Sequence, residues 1–278
     1  MLSRGSIREP AVAGMFYPLE RSVLDREVDA LLNRVEVEEI KGELRGLISP
    51  HAGYIYSGYT AAHGYRLLKG KSVQTVVIIA PSHREYFRGV SVFSGSAYRT
   101  PLGILEVDDE LRSELVRDGG VIEASLSGHR EEHAIEVQLP FLQKVLAEFK
   151  ILPIVMGDQQ REFCVALGER LGRILNGKNA LLVASSDLSH YYSYDVACKL
   201  DQVVVNDVRG FDEERLLKDL DTQQAEACGG GPIAAVLIAA KKLGADKVEV
   251  LNYCNSGDVT GDKDGVVGYL SAAVIKGN

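Results

Sequence analysis

The sequence predicts a single α/β domain over residues 1–278, with a mainly parallel central sheet and helices on both faces. Strand-like apolar runs alternate with segments of helical periodicity along the whole chain, which is the pattern of this fold class. Three runs, at 46–49, 75–80 and 180–184, are short and apolar, as strands covered on both faces require. No repeat or low-complexity linker divides the chain, and a hydrophobic content of 46% is enough for a large core.

Helices are predicted where apolar residues recur with helical spacing. Pro140 lies inside the segment 129–149, so that helix should be kinked or divided at the proline. Pro232 stands in the first turn of the last helix, a position that proline prefers. The predicted helices cover residues 22–35, 59–68, 108–118, 129–149, 162–175, 195–208, 212–220 and 233–243.

Further strands are predicted at residues 89–93, 150–156, 247–254 and 266–275. Pro153 can be accommodated in its strand only at a sheet edge or at an irregularity, because it has no backbone N–H to donate. Residues 1–20 read as an irregular arm that Phe16 and Tyr17 attach to the body, and residues 98–103 read as a turn-rich loop.

The segment NSGDVTGDKDG, residues 255–265, superficially resembles a calcium-binding loop. When the loop pattern is aligned on Asp262, Asp264 and Gly265, its twelfth position falls on Ser271, so the required bidentate acid is missing. We therefore expect a solvated hairpin or loop.

Composition excludes several classes of partner. The net charge is -8 and the pI about 5.4, without a basic run, so we expect no nucleic-acid partner. No apolar segment approaches the roughly 20 residues of a membrane span, and the N-terminus lacks the apolar region of a signal peptide. These features predict a cytoplasmic protein with no membrane attachment. The cysteines are expected to be free thiols: Cys164, Cys198, Cys228 and Cys254.

Three histidines follow directly after apolar strands. His51 comes after the strand at 46–49, His83 after that at 75–80, and His190 after that at 180–184. Parallel strands present their carboxyl ends along one edge of a sheet, so neighbouring strands would bring these imidazoles into one crevice. Converging imidazoles commonly hold a transition metal. The other histidines read differently, with His63 structural inside a helix and His129 in a solvated loop.

Three further residues are candidates for the same crevice. Cys228 precedes a glycine-rich helix start, where the positive end of the helix dipole should lower its pKa and favour the thiolate. Asp187, three residues before His190, could orient that imidazole as an acid–base pair requires. His133 lies among glutamates and is a candidate for the rim of the pocket.

Five ordered motifs carry a family resemblance: PHAGYIYSG, APSH, EEHAIEVQLPF, SSDLSH and ACGGGPI. With these motifs, nearly the whole chain resembles the Memo family, whose archaeal and bacterial members are often named AmmeMemoRadiSam system protein B. The resemblance implies a single α/β domain similar to the class III extradiol dioxygenases, which use non-haem Fe(II).

Matched position by position, the resemblance implies that His51, His83 and Cys228 bind the metal. It places Asp187 and His190 in the same cleft and assigns His133 to the E-H-x-x-E motif of the family. The related dioxygenases use a carboxylate where this chain has Cys228. A thiolate is softer and favours copper or reduced iron, which puts ring-cleaving dioxygenation in question.

Three functions remain open on the sequence alone. The first is a redox enzyme in which Fe(II), or alternatively copper, takes O2 and a small substrate. In this hypothesis Asp187 and His190 move a proton, and His133 and Tyr54 line the substrate pocket. The second is a zinc hydrolase, although neither H-E-x-x-H nor G-x-S-x-G is present. The third is a non-catalytic module that binds a peptide or a partner, for which the family name suggests a radical-SAM protein.

Overall fold

A computed structural model describes residues 6–36 and 40–277 of the chain. In these two ranges the strands are β1 (Ile7–Arg8), β2 (Glu43–Ser49), β3 (Thr75–Pro81), β4 (Val90–Phe93), β5 (Ala97–Thr100), β6 (Gly103–Glu106), β7 (Ile122–Ser125), β8 (Lys150–Met156), β9 (Ala180–Ser185), β10 (Asp187–Tyr192), β11 (Lys247–Asn255) and β12 (Val266–Lys276). The helices of the same ranges are α1 (Arg21–Arg34), α2 (Tyr54–Arg66), α3 (Asp109–Val116), α4 (Leu139–Val145), α5 (Arg161–Ile174), α6 (Tyr194–Arg209), α7 (Glu213–Asp221), α8 (Gly230–Lys242) and α9 (Ser256–Thr260), with a 3-10 turn at Glu136–Gln138.

The central sheet is mixed. Its strand order is β10-β12-β2-β9-β3-β8-β4-β7, and β11 pairs with β12. The strands β2, β9, β3 and β8 are mutually parallel and form the middle of the sheet, and β4 is parallel to β7. Antiparallel pairing joins β12 to β2, β10 and β11, and joins β4 to β8. A second, small sheet has the order β1-β5-β6.

Side chains of successive strand residues pack alternately into two separate cores, one on each face of the central sheet. Val76 and Ile78 of β3 pack with α1, α2 and α4 on one face, whereas Val77 and Ile79 pack with α5 and α8 on the other. All four side chains are fully buried. Because successive side chains of a strand point to opposite faces, an uninterrupted apolar run is explained by burial on both sides. The predicted fold class, one α/β domain with helices on both faces, is confirmed.

The predicted helix at 129–149 is the clearest error in the sequence-based assignment. Residues 139–145 alone form an α-helix there, preceded by the 3-10 turn at Glu136–Gln138. Pro140 stands in the first turn of α4, where its missing N–H has no helical partner to lose. The proline therefore begins a helix instead of kinking one.

The predicted loop at 98–103 is a β-hairpin. Thr100 pairs with Gly103, so Pro101 and Leu102 make a two-residue turn between β5 and β6. Gly103 has a φ of 150°, a conformation that glycine adopts without strain. The turn residues were recognised, but the short strands on either side were not.

Pro153 lies in an interior strand. It pairs with Ile78 of β3 on one side of β8, whereas β4 on the other side pairs only with residues 154–156. The bridge between Val107 and Ile151 also leaves Pro153 out. The proline thus stands in a gap of the hydrogen-bond ladder, which is the irregularity that its missing donor requires.

Two expectations about the chain's chemistry and surroundings can be compared with the structure. All four cysteines are free thiols, as predicted. Within residues 6–36 and 40–277, every helix is too short or too polar to cross a bilayer.

Candidate functional site

The carboxyl ends of β2, β3 and β9 lie side by side, and a cavity of about 660 Å³ opens above them. The chain leaves β9 at Ser185, and the N–H of Ser186 donates to the carbonyl of Ser49 at 2.9 Å. The chain thereby crosses the end of β2 and continues as β10 along β12. His51 emerges at this crossing. The histidines and the acid that line the floor of the cavity are His51, His83, His133, His190 and Asp187.

Three candidate metal ligands meet at this point. Donor atoms of His51, His83 and Cys228 all lie within 4.8 Å of one another. The Sγ of Cys228 is 3.2 Å from Nε2 of His51, and the ring centroids of His51 and His83 are 5.1 Å apart. The fold therefore brings together residues that are up to 177 positions apart in the chain.

The ring of His51 is held in one tautomer by Ser185. The Ser185 hydroxyl donates to the carbonyl of Ala134 at 2.7 Å and accepts from Nε2 of Gln138 at 2.8 Å. Its single proton is thus committed, so it must accept from Nδ1 of His51, 2.9 Å away. The lone pair of His51 is left on Nε2, which faces Cys228. Burial, reinforced by the neighbouring His83, holds the pKa of His51 well below its ordinary value of 6.5, so the ring is neutral.

The ring of His83 is held by Glu132. The Glu132 carboxylate lies 2.9 Å from Nδ1 of His83 and also accepts from the N–H of His83 at 2.6 Å and of Ala134 at 2.9 Å. Burial alone would raise the pKa of Glu132, but these hydrogen bonds and the electrostatic interaction with His83 lower it to about 2. Glu132 is therefore ionised and accepts a hydrogen bond from Nδ1 of His83, so Nε2 is the ring nitrogen left for a ligand. A carboxylate that orients a histidine in this way is the usual outer partner of a metal-binding imidazole.

The pKa of the Cys228 thiol is shifted in the direction opposite to the one predicted. Burial, and next the nearby Asp187 carboxylate, raise the pKa of its thiol well above the ordinary value, instead of the helix dipole lowering it. The reason is distance and solvation: α8 begins two residues later at Gly230, and the sulfur is enclosed between the backbone of Asp187 and the His51 ring. A cation placed among these donors would reverse the direction, because it stabilises the thiolate.

The predicted pairing of Asp187 with His190 is wrong. Oδ1 of Asp187 accepts from the N–H of His51 at 2.8 Å, and the carboxylate next to the His190 ring is Glu226, at 3.7 Å. Glu226 also accepts from the His190 N–H at 3.1 Å. Residues 187–192 form a strand, in which side chains three positions apart are separated by about 10 Å along the chain. Both residues nevertheless line the cavity, as expected.

His133 and Tyr54, the two candidates for substrate contact, are placed differently. The His133 ring lines the cavity, 4.7 Å from the His83 ring and 4.8 Å from the Phe16 ring, and burial lowers its pKa to about 4. Tyr54 is buried in the core, with its hydroxyl donating to the carbonyl of Val137 at 2.7 Å. The following residue, Ile55, faces the cavity instead, since each step along α2 rotates the side chain by about 100°.

The remaining histidines lie outside the cavity. His63 is a helix residue whose Nδ1 lies 2.9 Å from the carbonyl of Tyr59, in keeping with a structural role. His129 was expected in a solvated loop, but it is fully buried between the Tyr98 hydroxyl, 2.8 Å from Nδ1, and the Ser91 carbonyl, 3.1 Å from Nε2. The turn around His129 was predicted correctly. Its burial was not, because the local sequence does not indicate that β4 and β5 pack over this turn.

Sequence reasoning missed the residues that support the site. They are Glu132, Ser185, Gln138 and Glu226, together with the buried ion pair of Arg8 and Glu136 that holds the N-terminal arm. Glu136 also accepts from the N–H of Ala11 and Val12 and from the Tyr17 hydroxyl. Only the glutamates of the EEHAIE segment gave a usable signal, since acidic residues in an otherwise apolar stretch need partners. The arm places Met15 and Phe16 on one wall of the cavity.

Known proteins resemble this chain over nearly its whole length. The family model described as Memo-like protein matches residues 8–273. A MEMO1 family protein of Methanosarcina mazei is 44% identical over 272 residues, which covers 97% of this chain and 98% of that protein. Those of Methanocaldococcus jannaschii and Nitrosopumilus maritimus are 40% and 37% identical, cover 96% and 95% of this chain, and are themselves covered to 99% and 98%.

A solved structure shares the fold at low sequence identity. The crystal structure of the uncharacterized protein JW3007 from Escherichia coli K12 superposes with a TM-score of 0.54 at 14% identity. The match covers 84% of this chain and 100% of that one. At this identity it supports the fold alone.

Proposed function

The chain belongs to the Memo-like protein family, and on that premise we propose that it is a metal-dependent redox enzyme whose ligands are His51, His83 and Cys228. The observation that carries the proposal is the state of the two imidazoles. Each has its Nδ1 committed to a partner, Ser185 or Glu132, and donor atoms of both rings lie within 4.8 Å of the thiol sulfur. This is how metal-binding histidines are prepared in proteins.

The chemistry of the donors fits a transition metal. Two imidazoles and one thiol suit Fe(II), copper or zinc, and do not suit Mg²⁺ or Ca²⁺, which prefer oxygen. We propose Fe(II) first, since three protein ligands leave positions open, with copper and zinc as alternatives. Bound Fe(II) would supply one-electron chemistry and a place for O2 beside the substrate.

The remaining residues of the floor would handle protons. The His190 ring is partly exposed at the cavity, 3.7 Å from Glu226, and can exchange a proton between a bound substrate and solvent. His133 is neutral at pH 7, and its buried Nδ1 lies 3.4 Å from Oε1 of Glu132. Its ring also lines the cavity, where its other nitrogen can take part in a hydrogen bond with a substrate hydroxyl. Asp187 would act as a positioning residue through the His51 N–H.

Anaerobic titration of the chelator-treated protein with Fe(II), followed by metal analysis, tests the proposal. We expect binding of a single equivalent, with a loss of at least tenfold in affinity in His51→Ala and in Cys228→Ser. Cys198→Ser and His63→Ala are matched controls, because they remove the same donor types outside the cavity. If His51→Ala and Cys228→Ser bind metal as tightly as the parent, the ligand assignment is wrong.

A second candidate is a binding module that uses the same cavity without catalysis. The observation that favours it is the exposed apolar rim, in which Met15, Ile55 and Tyr191 are 72%, 75% and 79% exposed. The same titration separates the two functions, because a folded protein that takes up no metal would favour the binding module. Preference for zinc, together with hydrolysis of a panel of esters and amides, would instead favour a hydrolase.

A further inference from the structure

The two sides of the cavity differ in chemistry. Met15, Phe16, Ile55 and Tyr56 form an apolar side contributed by the N-terminal arm and the start of α2. The opposite side comes from the loop between α9 and β12, which contributes Asp262 and Asp264 among others. This is the segment whose sequence superficially resembles a calcium loop. We call these two aspartates the acidic lip.

The acidic lip lacks compensating charge. Among the described residues, neither Asp262 nor Asp264 forms an ion pair, and no lysine or arginine lines the cavity. Lys263, between the two aspartates, has its ammonium 4.3 Å from the centroid of the Tyr194 ring and does not line the cavity. The N–H of Tyr194 donates to the Lys263 carbonyl at 3.1 Å, which fixes the loop in this position.

The floor adds a third carboxyl group beyond the acidic lip. Asp187 is almost fully buried there, and its Oδ1 accepts a hydrogen bond from the N–H of His51. An anionic ligand would therefore meet the two exposed carboxylates of the acidic lip as it enters the cavity.

Two tyrosine rings lie with the acidic lip at the opening of the cavity, which we call its mouth. Tyr191 has a φ of 64°, a conformation that bulky residues rarely adopt, and its ring projects 79% exposed at the lining of the cavity. Gly265, directly after the acidic lip, lies against the Tyr191 backbone: a Cβ there would stand 3.8 Å from its carbonyl oxygen. Tyr56 is a second ring at the mouth, 41% exposed. Tyrosine faces beside carboxylates are a favourable environment for an organic cation.

We infer that the cavity selects a small molecule with a cationic amine on an apolar body. The ammonium would lie between the acidic lip and Tyr191, and the body along Met15 and Ile55. The far end would then point to the imidazoles of the floor. A cavity of about 660 Å³ is of the size that encloses a small ligand. The inference rests on the proposed function only in taking this cavity as the substrate site.

Three matched probes test the inference on the full chain after removal of metal: phenylbutylamine, phenylbutanol and phenylbutyrate. They share one apolar body and carry a positive, a neutral and a negative end. By titration calorimetry at pH 7 and low ionic strength, we expect the amine to bind about tenfold more tightly than the alcohol, and phenylbutyrate to bind most weakly. Added salt should reduce the preference, since the aspartates are exposed.

The double variant Asp262→Asn/Asp264→Asn should bind the amine and the alcohol equally. Its matched control is Glu123→Gln/Glu148→Gln, which removes two exposed acids outside the cavity and should keep the tenfold preference. The inference is overturned if the wild type does not prefer the amine, which includes binding none of the probes. It is also overturned if the lip variant keeps the preference, or if the control loses it.

Metal uptake is measured on the same preparations, so the two proposals can fail separately. Intact Fe(II) binding without amine preference overturns only the ligand class. Amine preference in a protein that takes up no metal overturns only the redox function.

Discussion

The floor and the mouth of the cavity are built on different principles. His51 and His83 of the floor follow the ends of central strands, and Cys228 beside them precedes the start of a buried helix. Hydrogen bonds with the buried Ser185 and Glu132 side chains hold the two imidazoles. The mouth is made by the N-terminal arm, the first turn of α2 and the α9–β12 loop, and its side chains are largely exposed. The difference teaches that chemistry is placed where the backbone is fixed, and selectivity where sequence can change at little cost in stability.

Removal of the arm's anchor should have the largest effect. Arg8→Met leaves Glu136 buried and charged, so we expect the free energy of unfolding to fall by about 3–5 kcal/mol. Urea denaturation measures the loss. Arg173→Met, which removes an exposed ion pair with Asp118, is the control and should cost less than about 1 kcal/mol. Equal losses in the two variants would mean that the arm is not held by this pair.

Glu132→Gln should weaken the floor without disturbing the fold. The amide is neutral, so it orients Nδ1 of His83 less strongly than the carboxylate does, and we expect Fe(II) affinity to fall by about 10–100-fold. Glu131→Gln is the neighbouring control, because that side chain is exposed. Unchanged affinity in Glu132→Gln would remove the role that we assign to the carboxylate. Metal titration and circular dichroism measure the two properties.

The segment that receives the arm should be sensitive to acid through His129, whose carbonyl accepts from Nε of Arg8. Burial lowers the pKa of His129 from 6.5 to about 3, so the unfolded chain binds a proton that the folded one rejects. The stability that depends on the neutral ring is therefore present above pH 6.5 and lost as the pH falls toward 3. We expect the loss to be about 2 kcal/mol at pH 5 relative to pH 7.

His129→Gln removes this titration and keeps a donor for the Ser91 carbonyl. The variant should be less stable than the parent at pH 7, and its disadvantage should shrink by about 2 kcal/mol at pH 5. Urea denaturation at the two pH values measures it. A stability difference that is the same at both values would show that His129 does not titrate as described.

The smallest effect is expected at the mouth. Ile55 is 75% exposed, so Ile55→Ala should change the free energy of unfolding by less than about 0.5 kcal/mol. Its neighbour Tyr54 is the internal contrast, because Tyr54→Phe leaves the buried Val137 carbonyl without its donor and should cost about 1–2 kcal/mol. If Ile55→Ala were the more costly of the two, the mouth would be part of the packed scaffold.

Those parts of the fold that depend on the local periodicity of apolar residues could be predicted from the sequence. The continuous apolar runs of β3 and β9 identified buried strands, and the alternation with helices identified the fold class. What failed depended on neighbours distant in sequence. Residues 187–192 are a strand only because β12 pairs with them. Pro153 is tolerated in the interior only because the pairing of β8 with β4 ends at Ile154.

The site could be predicted in part for the same reason. The convergence of His51, His83 and Cys228 could be predicted because strand ends and a glycine-rich helix start leave local signals. Their partners were not found, since nothing near Ser185 or Gln138 in sequence indicates a contact with His51. The direction of the Cys228 pKa was wrong because burial is a property of the folded chain, whereas the helix start is visible in the sequence.

The position of β12 has a consequence for how the family can vary. Its residues 272–276 pair with β2 and its residues 266–269 pair with β10, so one strand sets the spacing between the ends of two others. His51 and Asp187 face each other across the gap between those ends. Because each strand residue spans about 3.3 Å, inserting two residues into β12 between 269 and 272 would move them apart by about 7 Å. The length of that short stretch sets the distance between His51 and Asp187. We therefore expect its length to be the same in related proteins even where its side chains differ.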